Sequence, residues 1–170
     1  MTIQAVQRPR RPIFCENLGN GKLRLNLHPG QTKTWDSRKR FIFMQSGTQG
    51  GKTCFGPHWL KREIDRCGAG DYLAVTATYP LLKNKMLKEF RSVFEQYYDL
   101  GTYKDADKLF EFYPRKGDTE PTRVIFGSAA NPESIESATA KAAWLDEVGQ
   151  IQWRRGLWEA VLRRLSLDVE

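Results

Sequence analysis

The sequence predicts an α/β fold with a mainly parallel sheet and helices on both of its faces. Three observations predict it. Apolar β-type runs at 40–45, 71–78, 123–127 and 142–146 alternate with segments whose apolar residues repeat at helical spacing. The run Asp71 to Thr78 reads as a strand buried on both faces, the kind a parallel sheet requires. Between the first strand and the first helix lies a glycine-rich turn, Ser46-Gly47-Thr48-Gln49-Gly50-Gly51-Lys52-Thr53.

Length and composition set the frame. The 170 residues suffice for one domain with a proper core, and 28% charged with 40% apolar residues is ordinary for a globular chain. No apolar run approaches the roughly 20 residues that cross a bilayer, and the N-terminus has no apolar signal core. Cys15, Cys54 and Cys67 lack metal-ligand spacing and read as reduced thiols. A net charge of +7 favours a polyanionic partner, nucleic acid being the commonest. The basic residues fall in clusters at 8–11, 33–40, 83–91 and 154–164, a dispersion that suits phosphate contacts better than base readout.

Element by element, residues 1–24 read as an extended Pro- and Arg-containing arm, with turn chemistry at Asn17 to Gly21. Residues 25–170 form the domain. Leu27 to Trp35 contains a Pro-Gly turn and leads through a short helix or turn to the first strand. A helix over 51–66 is expected to be interrupted early by Pro57 and closes at Cys67-Gly68-Ala69-Gly70. Leu82, Met86, Phe90, Val93 and Tyr97 mark an amphipathic helix with Lys85, Lys88 and Arg91 on its other side. Lys108 to Tyr113 reads as an edge strand and Arg115 to Pro121 as a loop. Leu157, Trp158, Val161, Leu162 and Leu165 share one face of a last helix.

Two motifs carry chemistry. In a turn of the Gly-x-x-x-x-Gly-Lys-Thr kind, backbone N–H groups close around phosphates, the lysine adds a point charge and the threonine hydroxyl ligates Mg²⁺. The strict pattern asks for glycine at 46, where this chain has Ser46, with Gly47 one place later. The second motif is Ala142-Ala143-Trp144-Leu145-Asp146-Glu147, an apolar strand ending in two acids. Opposite a phosphate loop, Asp146 suits the Mg²⁺ shell and Glu147 suits a general base acting on the attacking water. Together they predict a three-layer P-loop NTPase fold of the RecA-like, catalytic-glutamate (ASCE) class.

With these residues in place, the chain resembles the N-terminal ATPase region of the large terminase subunit of tailed bacteriophages. Ser46 to Thr53 resembles that family's Walker A loop. Ile125 to Ala129, Asn131 to Ser134 and Ala143 to Glu147 resemble the run into its Walker B motif. His28-Pro29-Gly30-Gln31 resembles its upstream adenine-contacting segment, and Thr76 to Pro80 its second core strand and exit. The resemblance implies an ATP- and Mg²⁺-dependent motor packaging double-stranded DNA in the bacterial host cytoplasm. It also implies a homo-oligomeric ring on a portal, and a small terminase subunit as partner. Gln31, Gly47, Thr48, Gln49, Gly50, Gly51, Lys52 and Thr53 would bind nucleotide, Thr53 and Asp146 the metal, and Lys52 and Glu147 would be catalytic.

Two departures stand beside the resemblance. Many members place an arginine in the loop where this chain has Thr48 and Gln49, which leaves Arg154, Arg155, Arg163 and Arg164 as candidates for a charge-stabilising finger. The family also continues into another core strand, a coupling motif and a nuclease. The expectation is therefore a domain truncated before its last core strand, without the nuclease. A helicase-like DNA-dependent ATPase shares the same motif logic, although Val148-Gly149 follows the two acids here. A nucleotide-binding module without turnover is the reading from another class.

Overall fold

A computed structural model of the chain describes residues 14–20, 22–47, 50–135 and 139–165. They fall into two compact units, 1–44 and 45–170. In the first, β1 (Cys15–Gly19) and β2 (Lys22–Leu25) form an antiparallel hairpin, and α1 (Pro29–Asp36) follows. The turn chemistry read at 17–21 therefore reverses the chain within what the sequence suggested was an arm. Gly19 and Asn20 take up the positive φ the reversal needs, and Glu16 faces Arg24 across the strands at 3.5 Å. Residues 1–13 lie outside the described residues.

The sequence expects a strand at 40–45, but no ladder forms there among the described residues. The backbone at 42–47 is irregular, and Phe41 and Phe43 are 55% and 78% exposed. An apolar β-type run becomes a strand only where a neighbour accepts its N–H groups and covers its side chains.

The second unit is built on a five-stranded mixed sheet of order β4-β5-β6-β3-β7. Its strands are β3 (Asp71–Thr76), β4 (Gly101–Lys104), β5 (Leu109–Phe112), β6 (Arg123–Ser128) and β7 (Ala140–Leu145). β6, β3 and β7 run parallel, whereas β4 and β5 add an antiparallel hairpin on the β6 side. The sheet is thus parallel through its core and antiparallel at one margin, a correction to the mainly parallel sheet the sequence suggests. The strand expected at 108–113 is internal; its edge neighbour β4 carries Thr102 and Lys104, too polar to stand out by pattern. Register between β3 and β6 is clamped where they begin, with the Arg123 guanidinium donating to both Asp71 carboxylate oxygens at 2.7 and 2.8 Å.

One face of the sheet is covered by α2 (Lys52–Cys67) and by α3, a continuous helix over 79–97. α3 is α-helical at Tyr79–Leu81 and Leu87–Arg91 and π-helical at Leu82–Met86 and Ser92–Tyr97. Its Phe90 and Phe94 stack at 3.9 Å, and Phe90 meets the edges of Phe110 and Phe126. The other face packs Leu73, Val75 and Ala140 against Ile135, Leu157 and Val161, the last two on α4 (Arg155–Arg164). No helix among the described residues is long and apolar enough to cross a membrane.

α2 is not interrupted at Pro57. It continues through the proline, whose missing N–H takes nothing from the rest of the helix beyond one bond near its start. Its approach to β7 is set by Gly56. A Cβ there would lie 2.0 Å from the Trp144 ring, a side chain that is itself only 6% exposed. Gly56→Ala gains helix propensity of about 1 kcal/mol but overpacks this contact, at a typical cost of about 1–3 kcal/mol. The expected result is a lower Tm by several degrees, with Gly56→Ala/Trp144→Phe recovering part of the loss. A higher Tm in the single variant would show that the ring can swing away freely.

Candidate functional site

The site is assembled where α2 begins and β7 ends. Gly51 precedes the helix with φ 73°, a left-handed conformation that favours glycine, and so turns the loop into α2. Gly50 N–H donates to the Gly47 carbonyl at 3.2 Å, closing the loop on itself. Lys52 is the first helical residue, and its Nζ donates to the Ser46 carbonyl at 2.9 Å, the Ser46 hydroxyl at 3.2 Å and the Gly47 carbonyl at 3.4 Å. The loop thus holds its own cation with acceptors that a bound anion would replace.

Thr53 reaches across to the second motif. Its hydroxyl donates to Asp146 Oδ2 at 3.1 Å, joining residues 93 positions apart. Asp146 follows β7 and is anchored through its own N–H to the Val75 carbonyl of β3 at 2.8 Å. Its carboxylate is 5% exposed, and burial raises its pKa, opposed by the Thr53 hydrogen bond and the charge of Lys52. A buried carboxylate whose closest partner is a neutral hydroxyl suits a cation. One carboxylate plus one hydroxyl is the small protein share typical of Mg²⁺ sites, where phosphates and water complete the shell. Among the described residues no group of three His, Cys, Asp or Glu side chains is placed to hold a metal by itself.

Glu147 has φ 54°, left-handed backbone for a non-glycine residue, and its carbonyl accepts from Gln150 N–H at 3.1 Å. The regular strand ends at Leu145, and the left-handed Glu147 turns the backbone directly after Asp146.

Of the residues singled out from sequence, Gly47, Gly50, Gly51, Lys52, Thr53, Asp146 and Glu147 belong to this one end of the second unit. Thr48 and Gln49 lie outside the described residues. Gln31 belongs to the first unit, where it is 2% exposed and its Oε1 accepts from His28 N–H at 3.1 Å while His28 caps α1. Arg155 pairs with Glu159 at 2.8 Å, Arg154 and Arg163 are exposed, and Arg164 has a buried Nε without a partner among the described residues. Sequence reasoning missed Ser46 as more than a departure from glycine: its hydroxyl and carbonyl both hold Lys52. The only signal was a hydroxyl residue at that place in the loop.

No protein-family model matches the chain, and no curated protein matches it. Among solved structures, the large terminase from a thermophilic bacteriophage is similar, with TM-score 0.61 and 15% identity over 82% of this chain and 36% of that one. The chain therefore has a terminase-large-subunit-like fold and spans about a third of the length of that relative.

The buried carboxylate gives a pH-dependent prediction. Because the native pKa of Asp146 is raised above its unfolded value, its ionisation favours unfolding at neutral pH. That penalty disappears as pH falls through the native pKa toward about 3.9, the ordinary aspartate value. Asp146→Asn should therefore melt a few degrees higher than wild type at neutral pH in metal-free buffer. The difference should narrow toward zero on acidification, as followed by circular dichroism melts. A constant difference across the pH series would show that the charge of Asp146 is not the cause.

Proposed function

We propose that the chain is the ATP-hydrolysing motor region of a phage large terminase subunit, with a three-layer P-loop fold of the RecA-like, catalytic-glutamate class. The observation that carries this reading is the Thr53–Asp146 hydrogen bond at 3.1 Å. It brings the end of a phosphate-type loop and the end of an acidic strand to one point, as a nucleotide–metal site requires. The terminase-like fold supports the same reading, and the net charge of +7 suits a DNA backbone.

Each residue then has a role that follows from its position. Lys52 and Thr53 open α2 directly after the Gly51 cap, at the helix end whose dipole favours an anion. Lys52 exchanges its hold on Ser46 and Gly47 for the phosphates. Thr53 and Asp146 would hold Mg²⁺, which when bound offsets phosphate charge. Glu147 accepts the proton of the attacking water as general base. Gln31 is proposed as the adenine contact and Gly47, Thr48 and Gln49 as the loop around the phosphates. Double-stranded DNA, a homo-oligomeric ring on a portal and a small terminase subunit are the proposed partners, in the host cytoplasm.

One observation favours a second reading, a nucleotide-binding module without turnover. Among the described residues no ladder stiffens the lead-in to the loop at 42–47, and hydrolysis demands tighter positioning than binding does.

Titration with a fluorescent ATP analogue, paired with phosphate release, tests both. Lys52→Ala should weaken nucleotide binding by about tenfold or more, because it removes a charge-assisted contact made in the bound ground state. Glu147→Gln should bind within a few-fold of wild type and lose about 10²-fold or more in turnover. Near-normal hydrolysis in Glu147→Gln would assign the base elsewhere. Tight binding with no turnover in wild type would select the second reading.

A further inference from the structure

The chain supplies a full set of acceptors for the cation of its own loop. The Lys52 ammonium has three N–H donors, and three acceptors meet it: the Ser46 carbonyl at 2.9 Å, the Ser46 hydroxyl at 3.2 Å and the Gly47 carbonyl at 3.4 Å. Two of these are backbone carbonyls, which any residues at 46 and 47 would supply. The third is a side-chain hydroxyl, and it exists because this chain has serine where the strict phosphate-loop pattern has glycine. With glycine at 46, one ammonium donor would be left for solvent or for a bound anion.

The loop is shaped around that hydroxyl. A Cβ on Gly50 would lie 2.3 Å from Ser46 Oγ and 2.8 Å from Ser46 Cβ, so glycine at 50 gives the serine side chain its room. The Gly50 N–H closes on the Gly47 carbonyl at 3.2 Å, and Ser46 Oγ donates to the same carbonyl at 3.4 Å. The hydroxyl hydrogen is thereby directed to Gly47, which leaves an oxygen lone pair for Lys52. Ser46 and Lys52 are both half-buried, where a hydrogen bond from a charged donor is stronger than the same bond in open water.

We infer that the Ser46 hydroxyl is a ligand to Lys52 that competes with nucleotide phosphate, and so sets how tightly the loop holds a nucleotide. This rests on the nucleotide-site reading above and deepens it. A contact made only in the nucleotide-free chain lowers affinity by the factor by which it stabilises that state. Phosphate oxygens take over the ammonium on binding, the serine contact is lost, and its whole worth is set against the nucleotide. The carbonyls of 46 and 47 exert the same opposition whatever the residue at 46; the hydroxyl adds to it. Ser46 acts through Lys52 and is a positioning residue. A site that turns over must also release its product, and a ligand built into the loop favours release.

Binding of a fluorescent ATP analogue to the full chain, in magnesium-containing buffer, tests this role. Ser46→Ala keeps the Cβ and removes only the hydroxyl, and it should tighten binding about three- to tenfold, the worth of one hydrogen bond. The same fluorophore on adenosine, without phosphates, should bind both chains alike. On the Lys52→Ala background, Ser46→Ala should change nothing, because the hydroxyl then has no ammonium to hold. A second readout needs no nucleotide. Acetylation of Lys52 by a small amine-reactive reagent, read by mass spectrometry against Lys61 of the same sample, should be about two- to fivefold faster in Ser46→Ala. Unchanged or weaker binding of the ATP analogue in Ser46→Ala would overturn the role of the hydroxyl. So would equal tightening on the Lys52→Ala background or toward the adenosine probe, or an unchanged rate of Lys52 labelling. Phosphate release is measured alongside. Wild type that hydrolyses ATP while Ser46→Ala binds no tighter overturns only the Ser46 role, and tighter binding in Ser46→Ala with no hydrolysis in wild type overturns only the motor reading.

Discussion

The hydrogen bond from Thr53 to Asp146 depends on how closely α2 approaches β7, and most of the second unit serves that approach. Gly56 is the enabling residue, since any larger side chain would meet the Trp144 ring before the helix start reached the strand end. Leu60 and Ile64, further along α2, bury fully against the same side of the sheet and fix the helix direction. From the strand side, Asp146 is held by the Val75 carbonyl of β3, and β3 is itself clamped to β6 by the Asp71–Arg123 pair. A carboxylate that is 5% exposed would ordinarily be placed against a cation or left neutral. Here geometry forces it beside a hydroxyl, which lowers the burial penalty without removing it. The folded chain therefore keeps a buried carboxylate only partly compensated by its neighbours.

Support for that site is one-sided. β7 pairs with β3 along its length, but on its other edge the described residues offer only the bridge between Ala140 and Leu165, at the strand's beginning. The opposite margin of the sheet is better closed: β4 and β5 fold over as a hairpin, and Phe110 and Phe112 of β5 join the aromatic cluster of α3. The aromatic cluster of Phe90, Phe94, Phe110, Phe112 and Phe126 therefore lies on the β4–β5 side of the sheet. Elements that exchange ligands are expected at the less stabilised end of a fold, where local opening has lower free energy.

What the sequence made legible follows from locality. α2, the later part of α3, β3, β6, β7 and α4 each announce themselves by a period or by an apolar run that needs no knowledge of neighbours. The two motif ends could be matched because loop and strand termini are set by glycine and by charge. What stayed hidden depends on partners. The run at 40–45 has every local property of a strand but forms no ladder among the described residues, and strand identity is conferred by pairing. β4 is a strand despite its polarity, because β5 lies beside it. The π-helical turns of α3 at Leu82–Met86 and Ser92–Tyr97 leave no mark on the sequence period. The role of Ser46 could not be read at all without seeing where the Lys52 ammonium goes.

Glu147 shows how strain and chemistry meet at one residue. Left-handed backbone costs a non-glycine residue about 1–2 kcal/mol, and Glu147 lacks the short polar side chain that eases the cost for asparagine or aspartate. The turn after β7 could be made more cheaply with glycine at this place; Gly149, two residues on, has no atom within 4 Å of a Cβ position and is free of such demands. The strain is sustained by bonds on both sides, Asp146 N–H to Val75 and Gln150 N–H to the Glu147 carbonyl. Because the backbone turns sharply between the two acids, one carboxylate stays buried against Thr53 while the next is freed from the strand direction. Two adjacent acids on an ordinary strand would alternate faces and diverge to opposite sides of the sheet. The left-handed turn ends the regular strand between the two acids; on the reading proposed above, one would hold charge and the other would take a proton.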